Sequence, residues 1–142
     1  MANRLAKLKL SVKDYQTCAA ADAEFNGEVV STDSSLKTNI YRFFDGEQGN
    51  LLVSVDYSKE KIIIQERGDS VNMTLELELE KEGKCIYRLD ETNTLNLASI
   101  LVVVKISEDN LLFEYDLYNP NDMVNPITRN KVEINCEVES LC

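Results

Sequence analysis

The chain has 142 residues, 44% of them apolar and 28% charged, and a formal net charge of -10 from 25 acidic and 15 basic side chains. That length suits one domain able to bury roughly two thirds of its unfolded surface, and the composition excludes a disordered chain. The negative field opposes nucleic-acid backbones and anionic membranes, and the absence of histidine removes the commonest general base and the commonest metal ligand.

Apolar residues recur with a period of two almost throughout, which is the signature of strands. In the first segment, RLAKLKLSV, Leu8, Leu10 and Val12 alternate with Lys7, Lys9 and Ser11. YQTCAAADAEF (15–25) favours helix through its alanines alone. It has no apolar stripe, so it reads as a loop or the beginning of a strand, with at most a helical turn. FNGEVVS and SLKTNIYRFF follow as strands. NLLVSVDY (50–57) and KIIIQE (61–66) are joined by SKE, a short hairpin connection. MTLELELE runs into the polar KEGK, read as a turn around Gly83, and then CIYRL (85–89). TLNLASILVVVKI (94–106), the SEDN turn, LLFEYDLY (111–118), the loop NPNDMVNP with both prolines, and ITRNKVEINCEVE (127–139) complete the order.

About nine or ten short strands separated by polar turns predict one all-β domain over residues 1–142. An antiparallel set of this size hides its edges best by closing, so the expected architecture is a single antiparallel barrel, closed or nearly closed. With ~8 strands in the closed ring, the interior can be filled by side chains or hold one small ligand. The longest apolar stretch, LASILVVVKI (97–106), is interrupted by Ser99 and Lys105 and falls well short of the ~20 residues of a bilayer-spanning helix. The first residues lack the continuous apolar core of a secretion signal. Cys18, Cys85, Cys136 and Cys142 are widely spaced, which reads as reduced thiols rather than a disulfide framework. The expectation is a soluble cytoplasmic protein with no nucleic-acid or membrane partner.

Several stretches invite a chemical interpretation. In NMTLELELE (72–80), Met73, Leu75, Leu77 and Leu79 take one face of a strand, and Thr74, Glu76, Glu78 and Glu80 take the other. Carboxylates two residues apart on one strand lie ~6.6 Å from each other, too far to share one cation without help from a neighbour. A solvated wall, with lysine or arginine across the strands, accounts for them better. RGD at 67–69 and the sequon Asn72-Met73-Thr74 carry meaning only on an extracellular protein, so both read as chance. Asp116 and Asp122, among the asparagines before Pro126, lack the alternating oxygen ladder of a calcium loop. No GxSxG, no glycine-rich phosphate loop and no Cys/His pairing is present, so neither a catalytic set, a metal site nor a cofactor is expected.

Arg42, Arg67 and Arg88 fall within or at the ends of strand patterns. A planar guanidinium suits a ligand carboxylate or phosphate, and Arg67 stands at a strand-to-turn junction where a barrel mouth is expected. The alternative for each, and the better account, is a rim or outer-wall position paired with one of the acids. Parity sets Tyr87 beside Cys85 and Leu89, and Tyr115 beside Phe113 and Leu111, all facing inward as core or as ligand contacts.

Arg67 at a strand end, Met73 six positions later in an alternating strand, Tyr87 after a glycine, and a paired strand ending FEYDLY together resemble the YwiB-like family of small uncharacterised bacterial proteins. The resemblance covers roughly residues 25 to 138. It implies a calycin-type, lipocalin-like barrel, and it sets Arg67, Met73, Tyr87 and Tyr115 on positions of the family pattern. The chain departs from that pattern at Asp69, where the family has glycine, and at DETNT after Tyr87. The C-terminal Arg-x-Tyr clamp of the more distant fatty-acid-binding barrels is not found, since Arg129 is followed by Asn130 and Lys131. The family has no assigned activity.

The reading that follows is a non-enzymatic barrel with a small, largely apolar ligand in its interior, contacted by Arg67, Met73, Tyr87 and Tyr115. The alternative is a protein-interaction module or homodimeric scaffold without a ligand. An exposed Ile or Val on the outer face of ILVVVKI would be the mark of such an interface.

Overall fold

Strict alternation of apolar and polar side chains becomes ten antiparallel strands with one face buried. The computed structural model describes residues 4–33, 37–45, 49–68, 72–107 and 109–137; Asp69 of the RGD triplet, Cys142 and positions 138–139 of the last expected strand lie outside them. In chain order the strands are β1 (Leu5–Asp14), β2 (Ala20–Asp33), β3 (Thr38–Asp45), β4 (Gly49–Asp56), β5 (Lys61–Arg67), β6 (Asn72–Glu78), β7 (Lys81–Arg88), β8 (Thr94–Ile106), β9 (Asn110–Tyr118) and β10 (Thr128–Cys136). Among the described residues there is no helix, and so none long and apolar enough to cross a membrane.

Each strand pairs with its neighbours in sequence, and β10 pairs with β1, so the sheet is a closed barrel. Closure leaves no row of unpaired backbone groups. Leu8 stands at the seam, opposite Ile134 on one side and Phe25 on the other. Because strand direction alternates, the hairpins after β1, β3, β5, β7 and β9 gather at one end of the barrel. The interior of the opposite end is filled by Tyr41, Val55, Ile62, Leu77, Leu111 and Ile134, all buried. Each such side chain contributes about 1.5–3 kcal/mol through burial. At that filled end Asn39 donates hydrogen bonds to the hydroxyls of Tyr41 and Tyr57, so the polar tips of two inward tyrosines are satisfied.

The glutamate row lies on the outer wall, as its parity requires. Leu75 and Leu77 are buried, Glu76 stands opposite Lys84 and Glu78 opposite Lys61 and Lys81, and Glu78 lies 3.5 Å from the Lys81 ammonium. The alanine-rich stretch is strand from Ala20 onward, in register with β1 from Lys13↔Ala20 to Leu8↔Phe25. The turn before it is built by Asp14, whose carboxylate accepts from the Gln16 and Thr17 amides. The loop before Pro126 is likewise an Asx-type turn, with the Asp122 carboxylate accepting from the amides of Val124 and Asn125.

Two details differ from the sequence expectation. KEGK is not a turn: the chain reverses at Leu79–Glu80, with Glu80 at φ 65°, and Lys81–Lys84 already belongs to β7. Gly83 serves a close approach instead. A Cβ there would sit 2.0 Å from the Glu76 carbonyl oxygen and 2.6 Å from Ser99 Oγ, next to the register shift between Glu76 and Glu78. In ILVVVKI the alternation also breaks: at a bulge between Leu101 and Val103 the inward parity switches, so that Leu101 stands opposite Tyr115 and Val104 opposite Phe113, while Val102 is 41% exposed. Bulges of this kind bend a strand and tighten its twist, which a closed sheet needs.

Candidate functional site

The half of the barrel that carries the hairpins after β1, β3, β5, β7 and β9 is not filled. It contains a cavity of about 300 Å³, at the lower end of the range of small-molecule sites, roughly 300–1,000 Å³. Its walls follow from the register. Leu51, Glu66, Met73 and Tyr87 stand abreast on β4 to β7; Ile64 and Leu97 line the next tier down on that side. Across the barrel Leu8, Leu10 and Val12 of β1, with Phe25 of β2, form the facing wall. Tyr115, Leu117, Thr128, Asn130 and Val132 complete it, and Ile127 lies at its upper margin.

The polar groups in this lining are few and stand on both walls, Glu66 and Tyr87 on one and Tyr115, Thr128 and Asn130 on the other. Tyr115 is opposite Asn130 on β10, and Asn130 donates a 3.0 Å hydrogen bond to Thr128 Oγ1. Burial raises the Tyr87 hydroxyl above the ordinary tyrosine range, helped by the Cys85 thiol and by the Glu66 carboxylate. Burial likewise raises Tyr115, with Tyr87, Cys85 and Glu66 adding to it. Glu66, Cys85 and Tyr87 therefore lie within electrostatic reach of the Tyr115 hydroxyl. Cys85, two positions from Tyr87 on the same face, is pushed up to about 11 by burial, while its hydrogen bond with Tyr87 pulls the other way. A thiol so placed stays protonated at neutral pH and is a poor nucleophile. Among the described residues no group of three or more potential ligands is arranged to hold a metal ion.

Three of the four residues singled out in the sequence meet here: Met73, Tyr87 and Tyr115 all line the cavity. Arg67 does not. It is exposed on the outer face, in register with Asn72 and, through it, with Arg88. These three residues border a second pocket with Gln65, Thr74 and Ile86, which also touches Glu66 and Met73 of the cavity lining. Arg42 is also on the outer wall, 3.9 Å from Glu28. The inward place beside Arg67 belongs to Glu66. The sequence carried the signal, because the period of two that turns Ile62 and Ile64 inward continues to Glu66 and turns Arg67 out. Leu89, expected inward with Tyr87, has left the wall and is 53% exposed beside the mouth. Leu95, 47% exposed, and Val124, 84% exposed, lie at the same end, so the margin of the opening is partly apolar.

No family model matches the chain, and no curated protein does. Among solved structures, the crystal structure of the ywiB protein from Bacillus subtilis is similar, with a TM-score of 0.63 over 96% of this chain and 93% of that one. At 12% sequence identity the likeness is one of fold, and the chain has the architecture of that protein from end to end.

Proposed function

We propose that the protein is a non-enzymatic barrel that holds one small, largely apolar molecule in the unfilled half of its interior. The observation that carries this reading is the 300 Å³ cavity lined mainly by aliphatic and aromatic side chains, in a barrel whose other half is packed. A fold that needed only stability gains from closing such a void, since unfilled core volume costs stability. The absence of histidine and the protonated state of Cys85 support a binding role over a catalytic one. The same reading takes the chain as a YwiB-like protein of the calycin type, on the strength of the shared fold and of the Arg67, Met73, Tyr87 order. Free Cys18, Cys85 and Cys136 support a reducing, cytoplasmic setting.

The test is native mass spectrometry of protein purified without denaturation from its own host. A bound small molecule is expected on the wild type and absent from Leu97→Trp, whose indole would occupy the cavity. If the wild type carries nothing and also fails to take up a neutral fluorescent probe such as N-phenyl-1-naphthylamine, the reading is wrong.

A second reading, a homodimer formed through the outer face of β8, has the exposure of Val102 in its favour. Light scattering after size exclusion separates it: a dimer that Val102→Lys converts to monomer would support it.

A further inference from the structure

Tyr115 faces inward on β9 between Phe113 and Leu117 and is 7% exposed, and its ring is stacked on Phe113 with the centroids 6.1 Å apart. Its hydroxyl has no hydrogen-bond partner among the described residues. Among those residues no side-chain nitrogen or oxygen is both sealed inside the protein and unpaired, so this unpaired hydroxyl keeps one open side. For an inward residue of the wall, that side is the cavity. Asn130, its register partner on β10, repeats the situation at 5% exposure. The Asn130 amide nitrogen donates to Thr128 Oγ1, and its carbonyl oxygen, with no protein partner, opens on the same space. A buried hydroxyl without a partner weakens a fold, because its desolvation is not offset, and phenylalanine would fill the same place without that cost. Such a group calls for an explanation outside the packing of the barrel.

We propose that the molecule held in this cavity carries an uncharged oxygen, in a carbonyl or a hydroxyl, that accepts a hydrogen bond from Tyr115. The inference rests on the interior-binding reading and adds the ligand's polar group to it. Water can satisfy Tyr115 and Asn130 while the barrel is unliganded, since the space is roomy and locally polar. A wholly apolar occupant would displace that water and leave both groups bare, whereas a ligand oxygen takes its place. A hydroxyl would in addition have the Asn130 carbonyl to donate to. The apolar body of the ligand then lies on the floor side of this pair, where Leu10 faces Val132 one inward step below Val12 and Asn130, with Leu8 beneath.

The experiment compares 1-tetralone with tetralin as competitors of N-phenyl-1-naphthylamine at pH 7. The two share a bicyclic skeleton and differ in a single carbonyl. Tyr115→Phe is expected to weaken 1-tetralone about fivefold, the size of one net hydrogen bond, and to leave tetralin within about twofold. Tyr118→Phe removes a hydroxyl from the outer face of the same strand and should leave both compounds within about twofold of wild type. Without ligand, the urea midpoint of Tyr115→Phe should equal or exceed that of wild type, because the hydroxyl holds nothing in the protein; a fall marks it as part of the fold and overturns the proposal. Tyr115→Phe weakening both compounds alike, or sparing 1-tetralone, overturns it too while leaving the cavity as a binding site. Failure of both compounds and of the probe to bind wild type overturns the interior-binding reading and this inference with it.

Discussion

Ser99 donates a 2.8 Å hydrogen bond from its hydroxyl to the carbonyl oxygen of Glu76, across the backbone of Gly83. β6 and β8 are thus joined directly over a strand that lies between them, and Leu79 and Leu101 form a further bridge just beyond. Gly83→Ala forces a methyl into the 2.0 Å gap to that carbonyl, a backbone contact that cannot swing aside. The expected loss is about 2–3 kcal/mol or more, read as a shift in the urea midpoint. Ser99→Ala removes one hydrogen bond from a fully buried position and should cost about 1 kcal/mol. If Gly83→Ala is neutral, the close approach is not what selects glycine here.

Asp116 is 4% exposed and is held by both a 2.6 Å and a 2.8 Å hydrogen bond from Arg129, across β9 and β10. The same contact raises the Arg129 guanidinium above its ordinary range. Arg129→Ala leaves a buried carboxylate without its fork-like partner, and Arg129→Lys restores charge without the two-point geometry. Since the arginine is itself about a third exposed, solvent screens part of the gain, and a loss of about 1–2 kcal/mol is expected for alanine. The exposed Lys131–Glu133 pair, 3.3 Å apart, is the control: Lys131→Ala should change stability by less than about 0.5 kcal/mol.

The buried thiol gives a pH dependence of definite sign. Cys85 titrates near 11 in the folded barrel against an ordinary value of 9.0. Its contribution to stability is therefore complete below pH 9 and is lost as pH rises from 9 toward 11, because the unfolded chain gives up its proton first. The loss from this one group is on the order of 2 kcal/mol. Tyr87 and Tyr115, raised in the same direction, steepen it above pH 10. Urea midpoints of the wild type should fall across this range, and those of Cys85→Ala should fall less. At pH 8, a thiol reagent should modify exposed Cys18 quickly and reach Cys85 only with denaturant. Rapid labelling of Cys85 in the native protein would contradict the burial.

Arg67 stands outside the wall, so Arg67→Ala should leave affinity for N-phenyl-1-naphthylamine within about twofold, whereas Leu97→Trp should abolish it. Fluorescence titration decides both. A large loss with Arg67→Ala would return that arginine to the ligand.

The strand pattern was readable because a barrel wall enforces a period of two, and each strand that alternates cleanly declares its own inner face. That is why Met73, Tyr87 and Tyr115 were assigned correctly to the interior. What could not be read came from places where the period breaks or where partners are remote. The bulges in β7 and β8 shift the pairing within a strand, and nothing in KEGK says that Glu76 will approach Gly83. Arg67 was favoured for its chemistry at a strand end, although parity already pointed to Glu66. The empty volume was illegible too, since it arises from how staggered strands space their side chains across the ring.

The seam between β1 and β10 has a consequence for how the chain reaches this shape. Leu8 and Ile134 meet only when β10 has arrived, so the ring cannot shut before that strand has been made. Until then two unsealed margins, one on β1 and one on β9, offer themselves to any neighbouring chain. Such long-range pairing is slow to form and exposed to misassembly. The negative charge along the outside then has a second use, as mutual repulsion between unfinished copies during that interval.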